Sequence, residues 1–561
     1  MLTRLQVLTI VSAAAVAVLA LFPISFIVLQ SLSTGLVFLR GSAFAGLSNF
    51  ASTLSDSIFQ TTVKNTVEFA FGLAVLTTLF GVALALAFTY LSFPFRRALE
   101  LLILAPILIS PLSMAIGWVF IAAPGGYVPT LWESFFGFPA PWNIYSFFTV
   151  ILINSFYLVP VMYLMLTPAL RSIDASYEEA CRVSGGSPFT TIRRVTLPMI
   201  RNALLAALVL IILDAIEQFS IPLILSAPNG TYLATTYINY LDSQSPPQFG
   251  AMAAVGLLIV GVSVFLVLLQ RRIGGTRYGY ASVRSGFRPV RRKVTRRSFR
   301  YLVAAGVATY GLMATPLPML GVIYRSIVTI INPYADQFSL LTLRNFRLIL
   351  SDAYLSGSLL NTLEVSLIAA SIGTVLSVMV AYSIVKSRSR GSNTLDYLAT
   401  VPMAVPGLVM GIGFLFAWSR VPLPVYGTIW ILIMAYITRY LPLGFRTIAS
   451  GISQVDQDLE HSFRVCGGSA IRSFYKVLLP LIRPALAAAW VLLFIHFVYE
   501  LSTSYLLYSY GSQVSTVVMV QLFNTDPGAL SALALIQFLL VVAVFVPFRK
   551  SVASNVVYMA E

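Results

Sequence analysis

Two stretches of this chain, YEEACRVSGGSPFTTIRRVTLPMIRNAL from Tyr177 and LEHSFRVCGGSAIRSFYKVLLPLIRPAL from Leu459, are versions of one another. Each is polar and basic, and each contains a Gly-Gly pair, at Gly185–Gly186 and at Gly467–Gly468. Repetition of this kind within one chain indicates that a structural unit is built twice.

The chain around the two stretches is too apolar for a soluble protein. Of its 561 residues 58% are hydrophobic and 10% are charged, whereas soluble domains carry about 25% charged residues. Uncharged runs of about 18 residues or more cross a bilayer as helices. Open sheets are excluded because the N–H and C=O groups at their edges find no hydrogen-bond partner in hydrocarbon. We expect an all-α polytopic membrane protein with about twelve transmembrane helices. Their approximate bounds are 6–30, 62–91, 98–122, 144–167, 199–225, 250–270, 301–328, 362–385, 395–418, 425–445, 484–508 and 529–548.

The first uncharged run allows two interpretations, a cleaved signal peptide or a retained helix. Arg4 precedes an apolar stretch, as in a signal peptide. The run continues from Leu5 to Leu39, however, well past the core of about 7 to 15 residues that signal peptides have. A retained helix is therefore favoured.

Basic residues in short loops predict which side of the membrane each loop faces. The segments 124–142, 226–249 and 511–528 contain no Lys or Arg, whereas FPFRRALE, VKSRSR and both repeated stretches are basic. Since basic loops stay inside, both termini and both repeated stretches are predicted to be cytoplasmic, in a multi-pass cell-membrane protein.

The net charge of +16 does not indicate a nucleic-acid partner. Residues 271–300 hold eleven basic residues and no acidic one, and they lie between the sixth and seventh predicted spans. We interpret this segment as a basic cytoplasmic linker that also contacts anionic lipid headgroups.

The repeat extends well beyond the two basic stretches. NTVEFAFGLAVLTTLFGVALALAF from Asn65 matches NTLEVSLIAASIGTVLSVMVAYSI from Asn361, and further matches follow downstream. These are Pro106 with Pro402 and Gly117 with Gly413. Two halves that start on the same side are parallel repeats related by an axis along the membrane normal. The predicted domains are 1–270 and 301–561, each with about six transmembrane helices, joined by the linker 271–300.

The first basic stretch has the signals of a helical corner. Ser176 and Glu179 have capping-box spacing, which predicts a short helix that the Gly-Gly pair ends. Ser187 and Pro188 fit the N-cap and first position of a second helix. Such a corner is either an internal brace at the lipid surface or a docking knob for a cytoplasmic partner, and docking is favoured.

The corner also carries a recognisable signature. Glu179-Ala180-Cys181, Gly185 and Val195-Thr196-Leu197-Pro198 resemble the conserved motif of permease subunits of type I, binding-protein-dependent ABC importers. In that family the short helix is a coupling helix that fits a groove of the ATP-hydrolysing subunit. The resemblance covers nearly the whole chain as two permease domains and implies an ATPase-coupling set of Glu178, Glu179, Ala180, Gly185, Gly186, Glu460, His461, Gly467 and Gly468.

The second copy departs from the signature. His461, Ser462 and Phe463 stand where Glu-Ala-Ala is expected, although Glu460 repeats Glu178. Docking is therefore expected to differ between the halves.

The resemblance also implies partners. No GxxxxGK[ST] phosphate loop occurs in the sequence, so ATP hydrolysis is assigned to two separate cytoplasmic ABC ATPase subunits. Solute capture is assigned to an extracytoplasmic substrate-binding protein. We expect the chain to be a transport subunit with no enzymatic activity, no catalytic residue and no bound cofactor.

Polar residues recur within the fifth span of each half. Asp214, Glu217 and Gln218 lie in the first half, and His496, Glu500 and Ser502 in the second. Helical spacing would place Asp214 with Glu217, and His496 with Glu500, on one face. Ionisable groups at membrane depth are costly and usually face an aqueous cavity or one another. A translocation path or gate is slightly favoured over a mutually paired structural cluster.

Other kinds of site are not indicated. The two cysteines, Cys181 and Cys466, and the two histidines have no neighbours at metal-ligand spacing. No Ser-His-Asp or paired-acid pattern is present, which argues against a membrane-embedded enzyme.

The candidate solutes are ranked by which branch of the importer family the chain resembles. The fused layout is similar to the ferric-iron and thiamine branch of these importers, and ferric iron comes first, since carboxylates suit a cation. Thiamine, polyamine, phosphonate and sugar remain alternatives. A different class, an ion-coupled secondary transporter, also uses repeats and midplane carboxylates, but it would need no docking helices.

Overall fold

A computed structural model describes residues 4–37, 43–274, 296–330, 339–386, 390–419 and 424–558. Within these ranges the chain is helical, and its only β-type pairings are two isolated bridges, Ser33 with Phe44 and Val328 with Leu341. Most of the predicted basic linker lies outside the described residues. The all-α fold predicted from the sequence is confirmed.

The α-helices, in chain order, are α1 Arg4–Ser31, α2 Ser48–Ser55, α3 Ser57–Tyr90, α4 Arg96–Leu104, α5 Pro111–Ala122, α6 Tyr127–Phe136, α7 Phe147–Arg171, α8 Ala175–Val183, α9 Pro188–Thr191, α10 Leu197–Met199, α11 Arg201–Glu217, α12 Ser220–Leu225, α13 Ala234–Asp242, α14 Phe249–Gly274, α15 Arg297–Ala314, α16 Pro316–Ile327, α17 Arg344–Ser351, α18 Ala353–Lys386, α19 Arg390–Thr400, α20 Gly407–Trp418, α21 Ile429–Ser453, α22 Gln457–Val465, α23 Ala470–Ser473, α24 Leu479–Leu481, α25 Arg483–Val498, α26 Ser504–Leu507, α27 Ser515–Leu522 and α28 Pro527–Tyr558. Short 3-10 turns cover Ala105–Leu108, Ala227–Asn229 and Val401–Ala404, and π-helical turns cover Ile192–Thr196 and Phe474–Leu478.

Many of these helices are suited to crossing a membrane. Among the described residues eight helices are long and apolar enough, and the number rises to eleven if each of three bent pairs is one span. The remaining predicted span, 425–445, coincides with α21, which has 25 residues. Arg439 and Arg446 within it lower its apolarity. The predicted polytopic fold is confirmed.

The described helices fall into two compact units, and neither unit is continuous in sequence. We call them the α18 unit, drawn from Met1–Asp56, Ile238–Val260 and Leu343–Met559, and the α3 unit, drawn from Ser57–Tyr237 and Gly261–Thr342. The α18 unit thus contains α1, from the first sequence repeat, and the α3 unit contains α15 and α16, from the second. The predicted domain boundaries at 270 and 300 stay a prediction about the sequence repeat.

A repeated glycine explains how each unit accommodates a helix from the other repeat. In the α3 unit a Cβ on Gly117 would lie 2.1 Å from the Pro318 carbonyl oxygen of α16. In the α18 unit a Cβ on Gly413 would lie 2.9 Å from the Pro23 carbonyl oxygen of α1. Small residues allow such close helix packing in membranes, and this accounts for the repetition of the glycine.

The repeated Asn-Thr pair ties each long helix to a loop that follows a broken span. In both units the Asn amide donates to a loop carbonyl, and the Thr hydroxyl accepts from a loop N–H. The bonds are Asn65 to Tyr232 (3.3 Å) and Ala234 to Thr66 (3.0 Å) in the α3 unit, and Asn361 to Gln513 (3.0 Å) and Ser515 to Thr362 (2.8 Å) in the α18 unit.

Candidate functional site

Each basic stretch forms a short helix, and in the first copy this helix begins two residues earlier than a cap at Ser176 predicted. The helix α8 starts at Ala175, and the carboxylate of Asp174 accepts a hydrogen bond of 2.9 Å from the Ser176 N–H. Asp456 caps α22 in the same way through the Asp458 N–H, at 3.0 Å. The capping box predicted from Ser176 is wrong, because an aspartate two residues upstream already caps the helix.

The Gly-Gly pair ends each short helix, as predicted. Gly185 has a φ of +83° and Gly467 a φ of +85°, the left-handed conformation that glycine adopts without strain. The next N–H, of Gly186 or Gly468, bonds the carbonyl five residues back, at 2.9 Å and 3.1 Å respectively. This Schellman arrangement satisfies helix-end carbonyls and turns the chain sharply.

Three large apolar side chains stand exposed at equivalent positions of each corner. They flank the Gly-Gly pair on both sides, and the two valines are 89% and 87% exposed. Exposed apolar side chains that lie together on a surface are typical of interaction sites, and the same three positions are exposed in both copies. We call them the corner apolar sets: Tyr177, Val183 and Phe189 in the α3 unit, and Leu459, Val465 and Ile471 in the α18 unit.

The predicted coupling residues divide between the outer and inner faces of the short helices. Glu179, Ala180 and His461 are exposed. Glu178 is buried, and its Oε1 accepts hydrogen bonds from the Tyr90 hydroxyl at 2.5 Å and from Thr196 at 3.1 Å. The inward position of Glu178 makes it unsuited to direct contact with a partner.

Glu460 in the second copy also faces inward. Its Oε1 lies 2.6 Å from the Lys386 Nζ, and both side chains are largely buried. The two glutamates therefore bond within their own units, while their exposed neighbours remain available for docking.

A bent return helix follows each corner. The π-helical turns Ile192–Thr196 and Phe474–Leu478 precede bends of 72° and 71° before α11 and α25. Such turns occur frequently at functional sites. The same π-helical turn and bend occur at the same place in both repeats, which indicates that the bend is part of the repeated structural unit.

The predicted single span 199–225 is broken in the α3 unit. The helix α11 ends at Glu217, and Gln218 is extended, with a ψ of 123°. The Gln218 carbonyl accepts a hydrogen bond of 2.6 Å from the Thr235 hydroxyl, which satisfies a backbone group that the break exposes. Asp214 and Glu217 are half-buried and Gln218 is buried. All three lie within about one helical turn of the break, because α11 ends at Glu217.

The span 484–508 is broken at the corresponding place in the α18 unit. The helix α25 ends at Val498, so the expectation that His496 and Glu500 share a helical face is wrong. The Thr516 hydroxyl donates to the Glu500 carbonyl at 2.8 Å, the same type of bond as in the other unit. Both repeats therefore contain the same helix break, which the mean hydropathy of the predicted span does not detect.

Glu500 is held by a buried cluster that includes a residue overlooked in the sequence. Arg439 Nη1 lies 2.7 Å from Glu500 Oε1, the Tyr440 hydroxyl donates to Oε2 at 2.5 Å, and the Thr503 N–H donates to Oε1 at 2.8 Å. Gly407 makes room for the guanidinium, since a Cβ there would overlap it. The signal that could have found Arg439 is an arginine inside the predicted span 425–445.

The other two predicted pathway residues near this break are His496 and Ser502. The His496 ring centroid lies 5.0 Å from that of Tyr440, and Ser502 is buried. Among the described residues no group of three or more His, Cys, Asp or Glu side chains is arranged to hold a metal ion.

Long apolar helices, broken spans and paired polar corners define an integral membrane transport subunit of the permease class. The chain belongs to the family described as the binding-protein-dependent transport system inner membrane component, which matches residues 77–275 and again 373–550. It is thus a fused, two-domain permease subunit of a type I ABC importer, located in the cell membrane.

Individual relatives differ in what their names say they transport. The chain is 24% identical to the ferric transport system permease protein FbpB of Actinobacillus pleuropneumoniae, over 86% of this chain and 70% of that protein. It is 26% identical to the trehalose/maltose transport system permease protein MalF of Thermococcus litoralis, over 44% and 84% respectively. A crystal structure of a bacterial alginate ABC transporter is 23% identical, over 41% of this chain and 84% of that one, with a TM-score of only 0.36.

Proposed function

We propose that this chain forms the translocation pathway of an ATP-driven importer that takes ferric iron from an extracytoplasmic binding protein. The observation that carries the importer mechanism is the pair of corner apolar sets. The two halves expose large apolar side chains at the same three positions of the same helical corner. The chain itself binds no cofactor and has no catalytic role, and ATP is used by the partner ATPases.

Each corner has the properties of a docking knob. Its apolar side chains lie beside exposed polar residues, Glu179 in the α3 unit and His461 in the α18 unit. Anchors of this size, rimmed by polar groups, supply most of the energy of a protein interface. Two knobs on one chain fit two cytoplasmic ATPase subunits, with the basic stretches and both termini on the cytoplasmic side.

The corners also separate this proposal from an ion-coupled secondary transporter. A secondary transporter has no need for paired cytoplasmic knobs, because no ATPase drives it. The exposed Glu179 in one half and His461 in the other make the two docking contacts chemically different.

The solute is proposed from similarity together with charge. The ferric permease relative matches both halves of the chain, across 86% of its length. Asp214 and Glu217 place two carboxylates beside the break in α11, where they suit a cation in transit. In the α18 unit the charge of Glu500 is balanced by Arg439. The two carboxylates of this proposal lie in the first repeat.

Sugar import is the second candidate solute class. The trehalose/maltose relative matches 44% of the chain, so its similarity extends over less of the fused arrangement. A neutral sugar would gain little from Asp214 and Glu217.

Uptake into proteoliposomes tests the proposal. The permease is reconstituted with its ATPase and iron-loaded binding protein, and labelled iron inside the vesicles is counted with and without ATP. We expect ATP-dependent iron uptake that thiamine, spermidine and a sugar panel do not compete. Equal uptake without ATP in ion-energised vesicles would instead establish a secondary transporter, and ATP-dependent uptake of a sugar alone would overturn the iron assignment.

A further inference from the structure

The last residue of each long helix touches the short helix of its own corner. In the α3 unit Tyr90 ends α3, and its hydroxyl donates to Glu178 of α8. In the α18 unit Lys386 ends α18, and its ammonium group pairs with Glu460 of α22. Each contact connects a helix of 34 residues to the corner.

These four residues are equivalent in the two repeats. The alignment that matches Asn65 with Asn361 also matches Tyr90 with Lys386, and the alignment that matches the Gly-Gly pairs matches Glu178 with Glu460. The contact is therefore repeated, although the residue that contacts the glutamate differs.

The two glutamates are contacted by different groups, and each set of groups compensates the buried carboxylate. Glu178 receives two neutral donors, the hydroxyls of Tyr90 and Thr196. In the second repeat Leu478, which is buried and cannot donate, takes the place of Thr196. Lys386 then supplies the opposite charge, with its Nζ 2.6 Å from Glu460 Oε1. The carboxylate in the low-dielectric interior is thus compensated by two hydrogen bonds in the first repeat and by an ion pair in the second.

We propose that Glu178 and Glu460 are positioning residues that link each coupling helix to the end of its long membrane helix, Tyr90 of α3 or Lys386 of α18. When the ATPase displaces a corner, this contact transmits the displacement to a rigid helix of the same unit. The inference rests on the proposed function, since it needs an ATPase that moves the corner. It assigns the inner glutamates to transmission and the exposed corner apolar sets to docking.

Charge reversal in the second repeat is the decisive test. Lys386→Met, Glu460→Gln and the double variant Lys386→Glu/Glu460→Lys are assembled with the ATPase and binding protein in liposomes. Three quantities are measured: ATPase retained per permease, basal ATP hydrolysis, and solute imported per ATP when loaded binding protein is present. We expect each single variant to retain the ATPase but to lower solute imported per ATP by about threefold to tenfold, and the reversed pair to recover most of that loss.

In the first repeat, the lysine of the second repeat can be introduced at the equivalent position, Tyr90. Tyr90→Phe removes one donor and is expected to lower solute imported per ATP, whereas Tyr90→Lys copies the second repeat and is expected to preserve it. Glu68→Gln is the matched control, because the Lys64–Glu68 pair is exposed, spans 3.8 Å and contributes little.

The outcomes separate this inference from the proposed function. If the unaltered chain neither retains the ATPase nor imports solute with ATP, the proposed function fails. If the unaltered chain does both, normal solute imported per ATP in Lys386→Met and Glu460→Gln overturns the positioning role. So does loss of the ATPase from these variants, or a reversed pair that recovers nothing.

Discussion

Arg439 and Glu500 form an ion pair of 2.7 Å in which the two side chains are only 14% and 3% exposed. Arg439 belongs to α21, and Glu500 follows the break after α25. The pair therefore joins an intact helix to a broken one. At the equivalent positions of the first repeat Tyr157 and Gln218 carry no charge. The two breaks share their backbone bonds but differ in charge.

Removing Arg439 should destabilise the protein strongly. Arg439→Met leaves the Glu500 carboxylate buried without its cation, a loss of about 3 to 5 kcal/mol in comparable sites. The measurement is thermal unfolding in detergent. Arg439→Met combined with Glu500→Gln should unfold at a higher temperature than Arg439→Met alone. An unchanged unfolding temperature in Arg439→Met would show that the pair contributes little.

The close approach of α5 and α16 should not tolerate a methyl group. In Gly117→Ala the new Cβ would lie 2.1 Å from a backbone oxygen, so the helices must separate and the unfolding temperature should fall. Gly306→Ala is the matched control, because no atom lies within 4 Å of a Cβ there. Alanine should even stabilise that helix, by up to about 1 kcal/mol. Equal unfolding temperatures for the two variants would contradict the packing account.

The positive φ at the corner should be needed for ATPase docking. Gly185→Val is strained at a φ of +83°, which distorts the corner, so less ATPase should co-purify. Gly125→Val is the control, since Gly125 has a φ of +78° and equally open surroundings in a segment predicted to face outward. If the two variants lose the same amount of ATPase, the effect is general instability and not docking.

The apolar runs and the repeat were enough to predict the fold class and the Gly-Gly corner, because both depend on local composition and spacing. The breaks at Gln218 and Tyr499 were missed, since hydropathy averaged over a span is unaffected by a few non-helical residues. Asp174 as the cap of α8 was also missed, because two capping signals lay close together.

Contacts distant in sequence were harder to predict. The partnership of Arg439 with Glu500, and of Lys386 with Glu460, joins residues on different helices that no periodicity connects. The packing of α1 with the second repeat depends on Gly413, which in the sequence is recognisable only as the match of Gly117. The corner apolar sets could have been found by aligning exposed apolar positions across the two copies of the corner.

The most direct test of docking through the corners is the number of ATPase subunits bound per permease when the corner apolar sets are made polar. Val183→Asp and Val465→Asp change one corner each, and Tyr510→Asp alters a side chain that is 96% exposed and immediately precedes the segment 511–528, which has no Lys or Arg. The molar ratio in purified complexes is measured by quantitative amino-acid analysis. We expect a full complement of ATPase for Tyr510→Asp, reduced retention for each valine variant and almost none for the double variant. Full retention in the Val183→Asp/Val465→Asp double variant would contradict docking through the corners.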